Sequence, residues 1–302
     1  MNVNLKKITT ESRNANTMDI DIVPTIEIVK KINNEDKTVA YSVEKAIPEI
    51  ARCVDMVYET FMNDGRLIYM GAGTSGRIGL VDAVECMPTY GVSPEMVQCL
   101  MAGGLPAMVK AVEGAEDSRD LAVEDLKKIN FSDKDIVIGI AASGRTPYVL
   151  GGIEYAKSIG AKTASISTSA NTVLSSLVDC PIEAVTGAEP ITGSTRMKSG
   201  TAQKMICNII STAAMVKMGK VYQNLMIDVQ ATNEKLVARS ISILKEITGL
   251  DDEIAKAVYE KYGSVKKAML GVLADISLEE VERLLNKNKG NIRQALKEAG
   301  VK

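Results

Sequence analysis

The chain has 302 residues, 46% of them hydrophobic and 25% charged, with a formal net charge of −2. This is the balance of a globular protein with room for one large domain and a small one, without the basic excess that nucleic acid or an anionic membrane attracts, or the ~20-residue apolar run of a membrane span. Histidine is absent, which excludes Ser-His-Asp and Cys-His catalysis and leaves proton transfer to Glu, Asp, Lys, Tyr or Cys.

Residues 1–20 are polar and read as an extended arm containing Glu11-Ser12-Arg13-Asn14. Met1 to Arg13 lacks the apolar h-region of a signal peptide, so the expected address is the cytoplasm. From Pro24 to about Asp64 the pattern is helical. Ile26, Ile28 and Val29 lead into one helix, and Val39, Val43, Ile47, Ile50, Val54 and Val57 mark the next. Asp64-Gly65 breaks it. Arg66–Met70 is a short apolar run, followed by Gly71-Ala72-Gly73-Thr74-Ser75-Gly76 and a helix from about Arg77. Further strands are expected at Met96–Met101, Asp135–Ile140, Lys162–Ser167 and Cys180–Val185. Helices are expected at Asp120–Lys128, from Pro147 to Gly160, and from Gly200 to Met218.

Strands and helices alternating at this length imply an α/β fold, a doubly wound, mostly parallel sheet with helices on both faces. The strands show no clean alternation, as expected of a sheet buried on both sides. After Thr248-Gly249 the texture changes to short helical segments with turns near Gly263, Ser277 and Gly290. The expected division is therefore 1–249 as the α/β domain with its N-terminal helical arm, and 250–302 as a small three-helix domain of ubiquitin-associated shape. An ordinary helical cap is the alternative for the latter. Cys53, Cys86, Cys99, Cys180 and Cys207 are odd in number and never spaced as CxxC, so neither a disulfide framework nor a zinc site is expected.

Three loops carry chemistry. The first, Gly71–Gly76, matches GxGxxG superficially, but no acidic residue ends the next strand as a dinucleotide site requires. Its Thr74 and Ser75 hydroxyls, with Gly76 and the helix-start N–H groups, suit a phosphate monoester. A turn needing glycine for geometry alone is the other reading. The second, Ser143-Gly144-Arg145-Thr146-Pro147, follows a strand in the same way, and two such turns can converge on one ligand. The third, Thr192–Thr201, places Arg196 and Lys198 before an apolar helix. A cation there asks for a compensating anion, phosphate or carboxylate; a solvated polar loop is the other reading. Among the acidic residues, Glu85, Glu113, Glu116 and Asp117 are candidates for acid–base work, though Glu and Asp are mostly surface groups.

The run Gly71-Ala-Gly-Thr-Ser-Gly-Arg77, with Asp82-Ala83, Glu85-Cys86 and Pro88-Thr-Tyr-Gly91, closely resembles the N-acetylmuramic acid 6-phosphate etherase family. So do Thr10-Glu-Ser-Arg-Asn14, Glu113-Gly-Ala-Glu-Asp-Ser118 and Gly193-Ser-Thr-Arg-Met-Lys-Ser-Gly-Thr-Ala202. Asn208–Thr212, Asn224–Val229 and Asn233–Lys235 complete the likeness, which runs from about residue 9 to the end and is looser at Val84 and Met87. The resemblance implies a sugar-isomerase (SIS) domain and cleavage of the lactyl ether of N-acetylmuramic acid 6-phosphate. The products would be N-acetylglucosamine 6-phosphate and D-lactate, with no metal or organic cofactor. It also implies a homodimer working in cell-wall sugar recycling, with a small-molecule phosphosugar as ligand and neither nucleic acid nor membrane as partner. The family's two catalytic glutamates fall on Glu85, as proton donor to the lactate oxygen, and Glu116, as base at carbon 2. Two other functions fit the same loops. One is phosphosugar binding without turnover, as in the related but longer glucokinase regulatory proteins; the other is aldose–ketose isomerisation.

Overall fold

The computed structural model describes residues 9–110, 112–231 and 233–301; residues 1–8 of the polar arm lie outside them. Two units are resolved by their internal packing: residues up to Val84 with Pro94–Ser211, and Glu85–Ser93 with Thr212–Lys302.

In the first unit two helices, α1 (Thr25–Glu44) and α2 (Ile47–Met62), precede five strands. These are β1 (Leu67–Gly71), β2 (Val97–Met101), β3 (Ile136–Ile140), β4 (Lys162–Ser167) and β5 (Cys180–Glu183). All pair in parallel, in the order β2-β1-β3-β4-β5. The connections carry α3 (Gly73–Tyr90), α4 (Arg119–Lys128), α5 (Pro147–Ser158) and the short α6 (Val173–Leu177), and α7 (Lys198–Lys217) follows β5. Every residue of β1 and β3 is buried, because successive side chains point to opposite faces and helices cover both. Ile68, Met70 and Val137 pack into one cluster with Tyr148, Val149 and Ile153 of α5 and Leu126 of α4. On the opposite face, the Tyr69 hydroxyl donates to Asp82 of α3 at 2.9 Å, with the Cys207 carbonyl oxygen of α7 as a second possible acceptor at 3.3 Å.

The polar arm is not extended where it is described. Thr9–Glu11 and Ala15–Thr17 form 3-10 turns, and Thr10, Asn14 and Thr17 are buried. Asn14 donates to the Ala188 carbonyl at 3.2 Å and Thr17 to that of Pro190 at 2.7 Å. Side-chain to backbone hydrogen bonds therefore lay this segment against the loop before α7, which residue polarity alone could not reveal.

The second unit gathers the end of α3, the end of α7, an antiparallel hairpin of β6 (Val221–Tyr222) and β7 (Leu225–Met226), and α8 (Glu234–Thr248). Then come α9 (Asp252–Tyr262), α10 (Val265–Ala274), α11 (Leu278–Lys287) and α12 (Ile292–Glu298), so the three turns read at Gly263, Ser277 and Gly290 separate four helices. Asn233, Ser264, Ser277 and Asn291 cap α8, α10, α11 and α12 through their side chains. The shared core takes Ile227, Ile243 and Leu244 together with Met269, Leu284 and Leu296. The helical unit thus begins well before residue 250, since Gly249 ends a helix of this core rather than preceding it.

Candidate active site

The strand order reverses direction between β1 and β3, which lie side by side with Gly71 opposite Ile140. In an open parallel sheet the loops leaving such a pair open a crevice at the strands' carboxyl ends. The two hydroxyl-bearing turns found in the sequence are the two loops at this point.

Close packing dictates Gly71 and Gly76 of the first, and a φ of +54° favours glycine at position 73. A Cβ on Gly71 would lie 2.7 Å from the Gly76 nitrogen, so strand and helix could not approach as they do. Geometry accounts for these glycines but not for the hydroxyls beside them. Thr74 and Ser75 stand in the first turn of α3, half-buried, where amide hydrogens lack helical partners. Ser75 donates to Gln203 Oε1 of α7 at 3.0 Å, while the Gln203 amide nitrogen is buried without a partner.

The second loop leaves β3 through Ala142 and Ser143. Gly144 has φ +62°, and a Cβ there would fall 2.3 Å from that of Thr172, so no other residue fits. Arg145 is exposed, and Thr146 is the N-cap of α5 with Pro147 at the first helical position. The Thr146 hydroxyl caps no backbone group. It donates instead to Glu116 Oε1 at 3.3 Å, and the Tyr148 amide donates to the Glu116 carbonyl at 2.9 Å. The loop after β2 is thereby pinned across the start of α5, bringing Glu116 and Thr146 together. Glu113 and Asp117 are exposed nearby in the chain. Glu85 is exposed on α3, beyond the cradle along the helix.

The third loop divides its two cations. Arg196 is exposed. Lys198 is buried, its ammonium 2.7 Å from Glu35 Oε2 and 3.1 Å from the Ala188 carbonyl. The anion required by the helix dipole is supplied by the chain itself. Buried Glu189 accepts from the Lys198 amide at 2.8 Å, and from the Ser199 amide and hydroxyl at 2.9 and 2.7 Å. Lys198 is therefore engaged in the fold and not available to a phosphate. Thr168 joins this loop to the second, donating to Ser199 Oγ at 2.9 Å while its amide donates to the Ala142 carbonyl at 3.0 Å. A Cβ on Gly200 would sit 3.5 Å from Thr74 Cγ2, so the first and third loops also adjoin.

Sequence reasoning missed Asp82 and Gln203. Asp82 is buried in α3, which raises its pKa, tempered by hydrogen bonds from Asn208, Tyr69 and Ser211. An acid within an apolar helix face was its one signal. Among the described residues no three Cys, Asp or Glu converge as a metal site would require. A cavity of about 580 Å³ lies by α6 and β5 with Glu49, Thr172 and Glu183 in its wall, and none of the predicted residues lines it.

Residues 49–157 match the family model "Glucokinase regulatory protein N-terminal SIS domain", and 118–213 match "SIS domain". The chain is 53% identical over 298 residues to the N-acetylmuramic acid 6-phosphate etherase of Clostridium botulinum (strain Okra / Type B1), covering 98% of this chain and 99% of that one. The protein of the same name from Bacillus cereus (strain AH820) is 54% identical over 293 residues, 97% of this chain and 100% of its own. A Bacteroides fragilis NCTC 9343 protein, assigned as a phosphosugar isomerase involved in capsule formation, superposes with a TM-score of 0.50 at 19% identity. It covers 67% of this chain and 95% of its own, and it shares the fold.

Proposed function

This chain belongs to the N-acetylmuramic acid 6-phosphate etherase family, and we propose that it works by elimination from the opened sugar followed by water addition, with Glu116 as base and Glu85 as acid. It is a carbon–oxygen lyase that cleaves the D-lactyl ether of N-acetylmuramic acid 6-phosphate. The near full-length identity to these relatives is the observation that carries the function.

The ether oxygen is on carbon 3, β to the aldehyde of the open form. Removing the carbon 2 proton makes the carbon 3–oxygen bond a leaving bond. Protonation of the departing oxygen completes lactate release, and water then adds to the unsaturated aldehyde. Two carboxylates suffice for these transfers, and no step needs a cofactor. The Thr146 hydroxyl orients Glu116, and the Tyr148 amide fixes its backbone.

We assign the 6-phosphate to the two helix starts at the strand reversal, with Thr74, Ser75, Gly76, Ser143, Gly144, Arg145 and Thr146 around it and Arg196 as a further cation. Lys198 is left out of this set because Glu35 holds it. A hydroxyl has one hydrogen, so Thr146 serves phosphate only by releasing Glu116. We also propose a cytoplasmic homodimer, on the family likeness; no helix among the described residues is long and apolar enough to cross a membrane. Incubating the protein with N-acetylmuramic acid 6-phosphate tests the function. Stoichiometric D-lactate is expected, and the same sample should sediment as two chains. Binding without lactate would support a sensor, and a ketose product an isomerase.

A further inference from the structure

Between α3 and α7 lies a cavity of about 280 Å³ that shares only Thr74 with these roles. Ile78 and Val81 form its apolar wall, with Arg77, Asp82, Lys204 and Asn208 at its polar margin. Arg77 donates to the carbonyls of Ala107 and Met108, at 2.7 and 3.1 Å. Asn208 donates to Asp82 at 2.6 Å, and that carboxylate also accepts from Tyr69 and Ser211 at 2.9 and 3.0 Å. Lys204 differs from these. It is exposed and has no hydrogen-bond or ion-pair partner among the described residues. The cavity therefore combines an apolar wall, in which Val81 is 57% exposed, with a lysine that makes no hydrogen bond or ion pair among the described residues and whose charge acts on the buried Asp82 carboxyl only through space.

That pairing suits a small carboxylate bearing a methyl group. The substrate's 3-O-lactyl substituent is such a group, and other amino-sugar 6-phosphates lack it. We infer that Lys204 binds the lactyl carboxylate, with Ile78 and Val81 against its methyl, and so selects the muramic sugar. The inference rests on the etherase function and deepens it.

Lys204→Met keeps the aliphatic stem and removes the charge. It should raise KM for N-acetylmuramic acid 6-phosphate about 10- to 100-fold, the scale of one charge-assisted hydrogen bond. Calorimetric affinity for N-acetylglucosamine 6-phosphate should stay within about twofold, since that ligand carries no group for Lys204. Lys204→Arg should retain most of the selectivity. Amidating the lactyl carboxylate should penalise the wild type by a similar factor and Lys204→Met hardly at all, which closes a double-mutant cycle. Equal weakening of both sugars in Lys204→Met, or wild-type indifference to amidation, overturns the assignment. Failure of the wild type to release lactate would instead overturn the etherase function, and sugar-phosphate binding would still be measurable.

Discussion

Lys198 shows how a residue's role can be half legible. Its position at the start of α7 announces that an anion is near, but not whether that anion is a ligand or part of the chain. The partner, Glu35, is 163 residues away in sequence, a separation no local pattern bridges. Burial raises the Glu35 pKa, yet hydrogen bonds from Lys198 and Asn16 outweigh it and hold the carboxyl below its usual value. Removing one partner of a buried pair leaves an uncompensated charge, so Lys198→Met should lower stability by about 3 kcal/mol. Lys198→Met with Glu35→Leu should recover much of that loss. Denaturant melts of the three proteins check this; a fully stable Lys198→Met with a raised KM would return Lys198 to the phosphate. Read from the residues, Glu116 is one of four acidic candidates, and only the family likeness singles it out, since its contact with Thr146 joins two separate loops.

At the scale of elements, most helices could be read from their three- and four-residue apolar spacing, and most strands from short runs bounded by glycine or turn residues. The central strands β1 and β3 are unbroken apolar runs, and several helices begin at capping residues. The hairpin β6–β7 escaped because two-residue strands carry no period. At the amino ends of the central strands, opposite the loops, Asp135 secures β3 to β1. It accepts from the Arg66 amide at 2.9 Å and from two guanidinium nitrogens at 3.1 and 2.8 Å. The Ser132 amide donates to it at 2.9 Å. Burial pushes its pKa up, but these hydrogen bonds and the Arg66 charge prevail and hold it below the usual 3.8. A carboxyl depressed on folding contributes stability above its unfolded pKa and loses it as pH falls through the folded value. Asp135→Asn should therefore cost about 2 kcal/mol near pH 7, with KM unchanged. The gap to wild type should shrink as pH drops below 3.8. A gap that is constant between pH 7 and 3 would deny Asp135 this role.

For the whole molecule, a strand order that reverses between β1 and β3 explains why two sequence-distant hydroxyl turns belong to one crevice. Alternation of elements implied the doubly wound sheet, but not which strands would be neighbours, because strand order depends on long-range packing. The central claim is that Glu116 removes the carbon 2 proton at this crevice and Glu85 protonates the leaving lactate. Hydrogen exchange at carbon 2 in deuterated water, followed by NMR on recovered substrate, separates the two steps. Each acid or base contribution is typically ~10²–10⁴-fold, so either loss is measurable. Glu85→Gln should stop lactate release yet still exchange the carbon 2 hydrogen, and Glu116→Gln should stop both. Exchange that survives in Glu116→Gln but vanishes in Glu85→Gln would contradict the account.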